Sequence, residues 1–182
     1  MSEPHRLQLL TDLWRGTRSM ENKVKEQLEL LAKTPDEIGR LVSDLPASSL
    51  VQRHSPEEFS VLESVCHLRD IEIEGYSIRI QRILTEDAPD LADVDGARLA
   101  IERDYNRQSL KEALTAFTSE REKNLNALNV ATNADFARTG NLAGVGPVTL
   151  SRIVELMCEH DEGHLEELEV ARRWILRGEA AE

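Results

Sequence analysis

The stretch Arg152-Ile153-Val154-Glu155-Leu156-Met157-Cys158-Glu159-His160-Asp161-Glu162-Gly163-His164-Leu165-Glu166-Glu167-Leu168 decides how the rest of the chain is read. Positions 153, 157, 160, 164, 168, 171 and 175 step by three or four, the period of one helix face. That face reads Ile, Met, His, His, Leu, Ala, Ile, so two histidines sit one turn apart inside an apolar stripe. Their Cβ atoms are roughly 5–6 Å apart on a helix. A buried polar group without a partner costs on the order of 1–3 kcal/mol, so each ring needs a hydrogen bond or a metal. A pair at i, i+4 is a common grip on a divalent cation. Pattern alone leaves ligand pair and core or surface histidines both open. A third ligand elsewhere would decide.

Working outward, the other long segments also read as helices. Residues 5–33 carry Leu7, Leu10, Leu13, Trp14, Val24, Leu28 and Leu31 at helical spacing, with Gly16 as a possible break. Thr34-Pro35-Asp36-Glu37 reads as a fresh start with Thr34 as cap, followed by Ile38, Leu41, Val42 and Leu45 up to Pro46. Ser55-Pro56-Glu57-Glu58 predicts a long helix over 56–84. Residues 85–108 form a long connection with some helix around 97–103. Ser109 caps a helix over 110–129 whose stripe is Leu110, Leu114, Phe117, Arg121, Leu125 and Leu128. Gly140 to Gly146 is a link into the histidine helix, which runs to about Arg177. No segment alternates with a period of two for long, so no sheet is expected. Four substantial helices and one long crossing connection specify an all-α four-helix bundle. The division expected is an N-terminal helical extension, 1–33, and a single bundle domain, 34–182.

Of five histidines, His5 lies near the terminus and His54 in a loop. Only His67 is on a long helix able to face His160 and His164 across a bundle core, where such sites are built. Three imidazoles leave coordination positions open, the mark of a catalytic metal. Glu63, Asp70 and Glu74, at −4, +3 and +7 from His67, share its general face. One of them could orient a ligand histidine or act as general base, while Glu63 and Glu74 equally suit the wet rim. Arg121 in an apolar stripe calls for a carboxylate partner such as Asp70 or Glu63, for a substrate carboxylate, or for a snorkelling pose. Gly163 leaves room for a neighbouring helix. Cys66 and Cys158 are expected to be small core residues. A zinc-protease reading fails because Asp161 stands where glutamate is needed, and no Glu-x-x-His pair exists for a di-iron site.

The net charge of −12 excludes a basic nucleic-acid footprint. No apolar run of about 18 residues spans a membrane. Two cysteines and an opening, Met1 to Arg6, without a basic-then-apolar layout lead to the expectation of a reducing, cytoplasmic setting.

Several spans occur in order: Phe59-Ser60-x-x-Glu63-x-x-x-His67-Leu68-x-Asp70-x-Glu72, Arg79-x-x-Arg82-Ile83-Leu84, Pro89-x-Leu91, Tyr105-Asn106, Leu114-x-x-Phe117-x-x-x-Arg121, Gly146-Pro147-Val148-Thr149-Leu150 and His160-Asp161-x-x-His164. Together, over residues 34–172, they resemble the DinB/YfiT-like superfamily of metal-binding bundles. The resemblance implies a metal triad at His67, His160 and His164, an up-down-down-up bundle, a divalent ion such as nickel, zinc or manganese, and often a homodimer. It also implies a metal-dependent enzyme, a thiol S-transferase using a low-molecular-weight thiol such as bacillithiol or mycothiol, or a hydrolase, acting on a small electrophilic molecule. Its Asp70, matching the family's His-Leu-x-Asp, and Arg121 are the candidate catalytic residues. A non-catalytic, stress-related metal-binding dimer is the alternative. Phe59 stands where the family usually has Trp, and Glu167 where Gln is common; the change at 167 touches the surroundings of the last histidine and leaves the substrate class open.

Overall fold

The computed structural model describes residues 21–178. Leu7, Leu10, Leu13, Trp14, the expected break at Gly16 and His5 lie outside these residues. From residue 21 the chain is helical to 31 (α1), turns once, and continues as α2 (Thr34–Val42). Thr34 is already helical; Lys33 holds the cap position without a side-chain bond, and Pro35 sits in the first turn.

The second long rod comprises α3 (Val61–Asp70), a π-helical segment (Ile71–Ser77) and α4 (Ile78–Thr85). It starts at Ser60, not at Ser55. Ser60 Oγ accepts the Glu63 N–H while Glu63 accepts the Ser60 N–H, a complete capping box. The π-segment resets the register of the buried face. Ile73, which the 3.6-residue spacing would bury, is 36% exposed, while Ile71, Glu72, Gly75 and Tyr76 turn inward.

The long connection returns along the rod. It holds β1 (Asp90–Leu91), α5 (Gly96–Glu102) capped by Asp95, and a 3-10 turn (Tyr105–Arg107). The third rod is α6 (Leu110–Asn129), capped by Ser109 as expected. A short α7 (Asn133–Phe136) leads to a hairpin, β2 (Thr139–Leu142) and β3 (Gly146–Thr149). The fourth rod, α8 (Leu150–Leu176), follows, capped by Thr149.

The small sheet corrects the expectation of none. β2 pairs antiparallel with β3, Thr139 opposite Thr149, and parallel with β1, Asp90 opposite Asn141. Strands of two and four residues are too short to show alternation. Gly140 is held so closely that a Cβ would clash with Leu91 and crowd Ile83. Gly144 supplies the positive φ of the turn.

Cross-rod contacts fix the topology. Lys23 meets Glu155, Cys158 meets the Gln27 carbonyl and Arg172 the Leu41 carbonyl, so α1–α2 runs parallel to α8. Ser60 meets Asn106 and Ser77 meets Glu120, so α3–α4 runs parallel to α6. His67 meets His160 while Tyr76 meets the Leu156 carbonyl, so these two pairs oppose each other. The bundle is therefore up-down-down-up. The long connection is required by two consecutive rods that point the same way.

Each rod reads apolar, polar, apolar along its length. One apolar half contains Leu28, Leu31, Ile80, Leu128, Ile153 and Met157. The other contains Ile38, Val65, Leu68, Phe117, Leu168 and Ile175. Between them lies a polar layer formed by Thr34, Glu72, Arg121, Asn124, Asp161 and the three bundle histidines.

Candidate metal centre

His67 sits in the last turn of α3, and His160 and His164 sit midway along α8, on the face that packs against α3. The structure brings the three together. His67 Nε2 and His160 Nε2 are 3.2 Å apart, and one nitrogen from each ring lies within 4.8 Å of the others. Ring centroids are separated by 4.6 Å (His160–His164), 4.7 Å (His67–His164) and 5.3 Å (His67–His160).

The donor set fits a divalent cation. A shared proton could link two facing nitrogens, but not three. Metal–nitrogen bonds of 2.0–2.1 Å at tetrahedral angles put neighbouring donors about 3.3 Å apart. Burial, then the nearby His164, lowers the His67 pKa to about 4; burial, then His164 and His67, lowers that of His160 to about 2. Both rings are thus neutral near pH 7, the form that ligates. His164 is oriented by Glu167, whose Oε2 lies 2.7 Å from Nδ1, leaving Nε2 for the shared point. That bond is the main cause holding the Glu167 carboxyl below its usual pKa. His67 is packed from behind by Gly96, where a Cβ would collide with Cε1 and Nδ1 of the ring. Buried His67 Nδ1 has no hydrogen-bond partner among the described residues. Phe59 lies 5.3 Å from His67 and Tyr76 5.9 Å from His160, ring to ring.

Behind His160 the polar layer is saturated. Arg121, 1% exposed, bonds Glu72 through Nε and Nη2, both at 2.9 Å. It bonds Asp161 at 2.6 and 3.0 Å, and the Leu31 carbonyl at 3.2 Å. Asn124 donates to Glu72 at 2.8 Å. Burial opposes the guanidinium's charge, yet Asp161 and Glu72 raise its pKa. The partners expected for Arg121, Asp70 or Glu63, are replaced by these two, and a snorkelling pose is ruled out by its burial.

Asp70 hydrogen-bonds none of the imidazoles. Its oxygens are taken by Arg69 Nε (2.6 Å), Arg103 Nη1 (2.7 Å) and Tyr105 Oη (2.7 Å). Burial would raise its pKa, but these partners lower it. A carboxylate so engaged is a poor base; what it does is clamp the connection carrying Gly96 onto α3. Glu63 is bound by Arg53 and Ser60, and Glu74 pairs with Arg103 at 2.5 Å. Gly163 faces open space: a Cβ added there would meet nothing within 4 Å, so the glycine makes no room for a helix. Cys66 and Cys158 are core thiols whose pKa values are pushed up to about 11, chiefly by burial.

His164 also forms part of the wall of a cleft of about 510 Å³. Phe59, Gly163, Val170 and Ala171 contribute further wall, and Glu57, Glu58, Glu166 and Glu167 the remainder. A cavity of about 200 Å³ against Val24, Leu28, Leu128 and Phe136 lies in the other half of the bundle and offers no imidazole or thiol. Sequence reasoning singled out position 167 but not its bond to His164, and it missed the roles of Gly96, Glu72 and Asp161. Glu167, three residues after His164, carried a usable i, i+3 signal; the others lie on different elements or point away from the imidazoles.

Among the described residues no helix is long and apolar enough to cross a membrane. A search of curated proteins finds no match. Among solved structures the chain is similar to YfiT from Bacillus subtilis, described as "a probable metal-dependent hydrolase with an unusual four-helix bundle topology". The two are 20% identical with a TM-score of 0.78, over 84% of this chain and 87% of that one. A family model described as the DinB superfamily matches residues 30–168, from the end of α1 to the turn beyond the second histidine of α8. A match over most of the chain, carried on the same bundle topology, makes this protein a member of the DinB superfamily.

Proposed function

We propose that this protein is a metal-dependent enzyme that adds a thiol or water to a small electrophilic molecule, with His67, His160 and His164 as the metal ligands. The observation that carries this reading is the convergence of three imidazole nitrogens at the wall of an open cleft. The nitrogen-only donor set favours nickel or zinc over manganese, which prefers oxygen. When bound, such a cation supplies Lewis acidity that lowers the pKa of a thiol or water beside it.

The chain's own residues do the rest. Glu167 keeps the His164 proton on Nδ1. Burial keeps His67 and His160 unprotonated. Phe59, Val170 and Ala171 give the electrophile an apolar surface beside the imidazoles. Arg121 is a positioning residue: by gripping Asp161 it holds the turn of α8 that carries His160. All three ligands come from one chain, so the homodimer implied by the family is not needed to complete the centre.

Thiol transfer is the first reading and hydrolysis the second; the description of YfiT favours the latter. Protein stripped with chelator and reloaded with zinc or nickel should accelerate loss of a chlorinated aromatic electrophile with bacillithiol, mycothiol, coenzyme A or glutathione, or cleave a p-nitrophenyl ester. His160→Ala should remove both metal and turnover. If none of the thiols accelerates the reaction, the transferase reading falls. If the ester is also untouched, the chain is a non-catalytic metal-binding protein.

A further inference from the structure

The chain carries 34 acidic residues against 22 Lys and Arg. The buried acids of the bundle are each met by arginine: Glu63 by Arg53, Asp70 by Arg69 and Arg103, Glu72 and Asp161 by Arg121. The cleft beside the imidazoles is different. Its wall holds Glu57, Glu58, Glu166 and Glu167, and among the described residues no Lys or Arg nitrogen lies within the 4.0 Å of a salt bridge to any of them. Glu58 meets only His54, and Glu167 only His164. Glu57 and Glu166 are exposed and make no side-chain bond among the described residues.

Four carboxylates contribute four negative charges, so even a dication on the triad leaves the site net negative. Like charges approaching such a wall are repelled, and opposite charges are concentrated at it. Phe59 adds an aromatic face to the same wall, a surface that attracts quaternary and protonated amines. These two features sit beside the three imidazoles that could hold a metal, so the charge borders the cleft in which the proposed chemistry takes place.

We propose that the cleft selects a positively charged substrate, an amine- or ammonium-bearing thiol or electrophile, and discriminates against anionic thiols and carboxylates. This rests on the metal-dependent reading above and narrows it: multiply anionic thiols such as coenzyme A become poor candidates for the nucleophile.

The test uses full-length protein loaded with cobalt(II) and three small thiols of similar size: thiocholine (cationic), mercaptoethanol (neutral) and mercaptopropionate (anionic). Binding is read from the sulfur-to-cobalt absorption band in the near ultraviolet. Thiocholine should bind at least about tenfold tighter than mercaptopropionate at low salt, with mercaptoethanol between them. Because the thiols differ in intrinsic affinity for metal, the decisive reading is the change in that ratio. In Glu57→Gln/Glu166→Gln it should fall by about threefold or more, with cobalt content still one per chain. In the unaltered protein it should shrink similarly as salt is raised to about 0.5 M. A ratio unmoved by the substitutions and by salt, or mercaptopropionate binding tightest, overturns the charge selection and leaves the metal-dependent reading standing. Failure to take up cobalt overturns both; no response to any thiol in cobalt-loaded protein overturns the charge selection and the thiol-transfer reading, and leaves hydrolysis standing.

Discussion

Two polar clusters occupy the same layer of the bundle, on adjoining faces of α8, and they are built on opposite terms. Around Arg121 every strong donor and acceptor has a partner: both carboxylates are gripped at two points, Asn124 fills a remaining site, and a carbonyl of α1 takes the last guanidinium proton. Around His67 the nitrogens face one another. Glu167 satisfies His164 from outside, but the three inward nitrogens can share at most one proton, between His67 and His160. A saturated buried network holds helices in register; an unsaturated one has a free-energy deficit that a ligand can remove. The contrast assigns structure to the first cluster and binding to the second, although both are made of ionisable side chains between the same rods.

The largest expected effect tests the first half of that contrast. Arg121→Met leaves Glu72 and Asp161 buried without their cation, and breaking a buried pair in this way is worth about 3–5 kcal/mol. Urea unfolding of the chelator-treated protein should show that loss. If stability is unchanged while metal uptake disappears, the cluster serves the site and the contrast fails.

His160→Ala should do the reverse. Metal-free stability should change by no more than about 1 kcal/mol, because truncation also removes a ring crowded against two others. What should vanish is stabilisation by added metal, which for the unaltered protein reaches about 4 kcal/mol when free zinc or nickel is a thousandfold above its Kd. A thermal shift that survives in His160→Ala would place the metal elsewhere. Glu167→Gln is gentler: the amide can still orient His164 without a full charge, and a fall of about 10-fold in metal affinity by competition with a chromophoric chelator is expected. No change would mean that the glutamate found at this position here and the glutamine usual in the family are equivalent.

How much of this is legible in the sequence depends on how local the cause is. The three-histidine cluster is legible because two of its members share one helix face and the third lies on another long rod. The all-α bundle follows from helical stripes, and the helix after Ser109 begins where its cap signal lies. The rod start at residue 60 is obscured, because two start signals compete within five residues. Ser55-Pro56-Glu57-Glu58 has the composition, but only Ser60 and Glu63 close both bonds of a capping box, with Arg53 holding the glutamate. The losing segment becomes the turn that brings Glu57, Glu58 and Phe59 over the cleft. Arg121 is recognisable as needing a partner, but its partners lie 49 and 40 residues away. One of them, Glu72, is turned inward by the π-segment, which breaks the periodicity on which a face assignment depends. The short sheet leaves no trace because its strands are too short to alternate, and because β1 pairs with a strand far from it in sequence.

The smallest effect concerns protons. In the metal-free protein the folded pKa values of His67 and His160 lie near 4 and 2, against about 6.5 for an unfolded chain. Each folded value is depressed, so the unfolded chain binds the extra proton and stability must rise with pH. Well above pH 6.5 both states are neutral and neither ring contributes. Below it the unfolded state takes up protons the fold refuses, and the loss continues until the pH passes the folded value. Between pH 7 and 6 the two rings together should lower stability by about 1.4 kcal/mol. The Arg121 guanidinium should contribute nothing in that window, because its pKa is raised still further from it. His67→Ala/His160→Ala should therefore flatten the pH dependence of urea unfolding between pH 7 and 6. An acid limb that persists unchanged in the double variant would mean that the protons are taken up elsewhere, and the imidazoles would lose their standing as the uncompensated half of the polar layer.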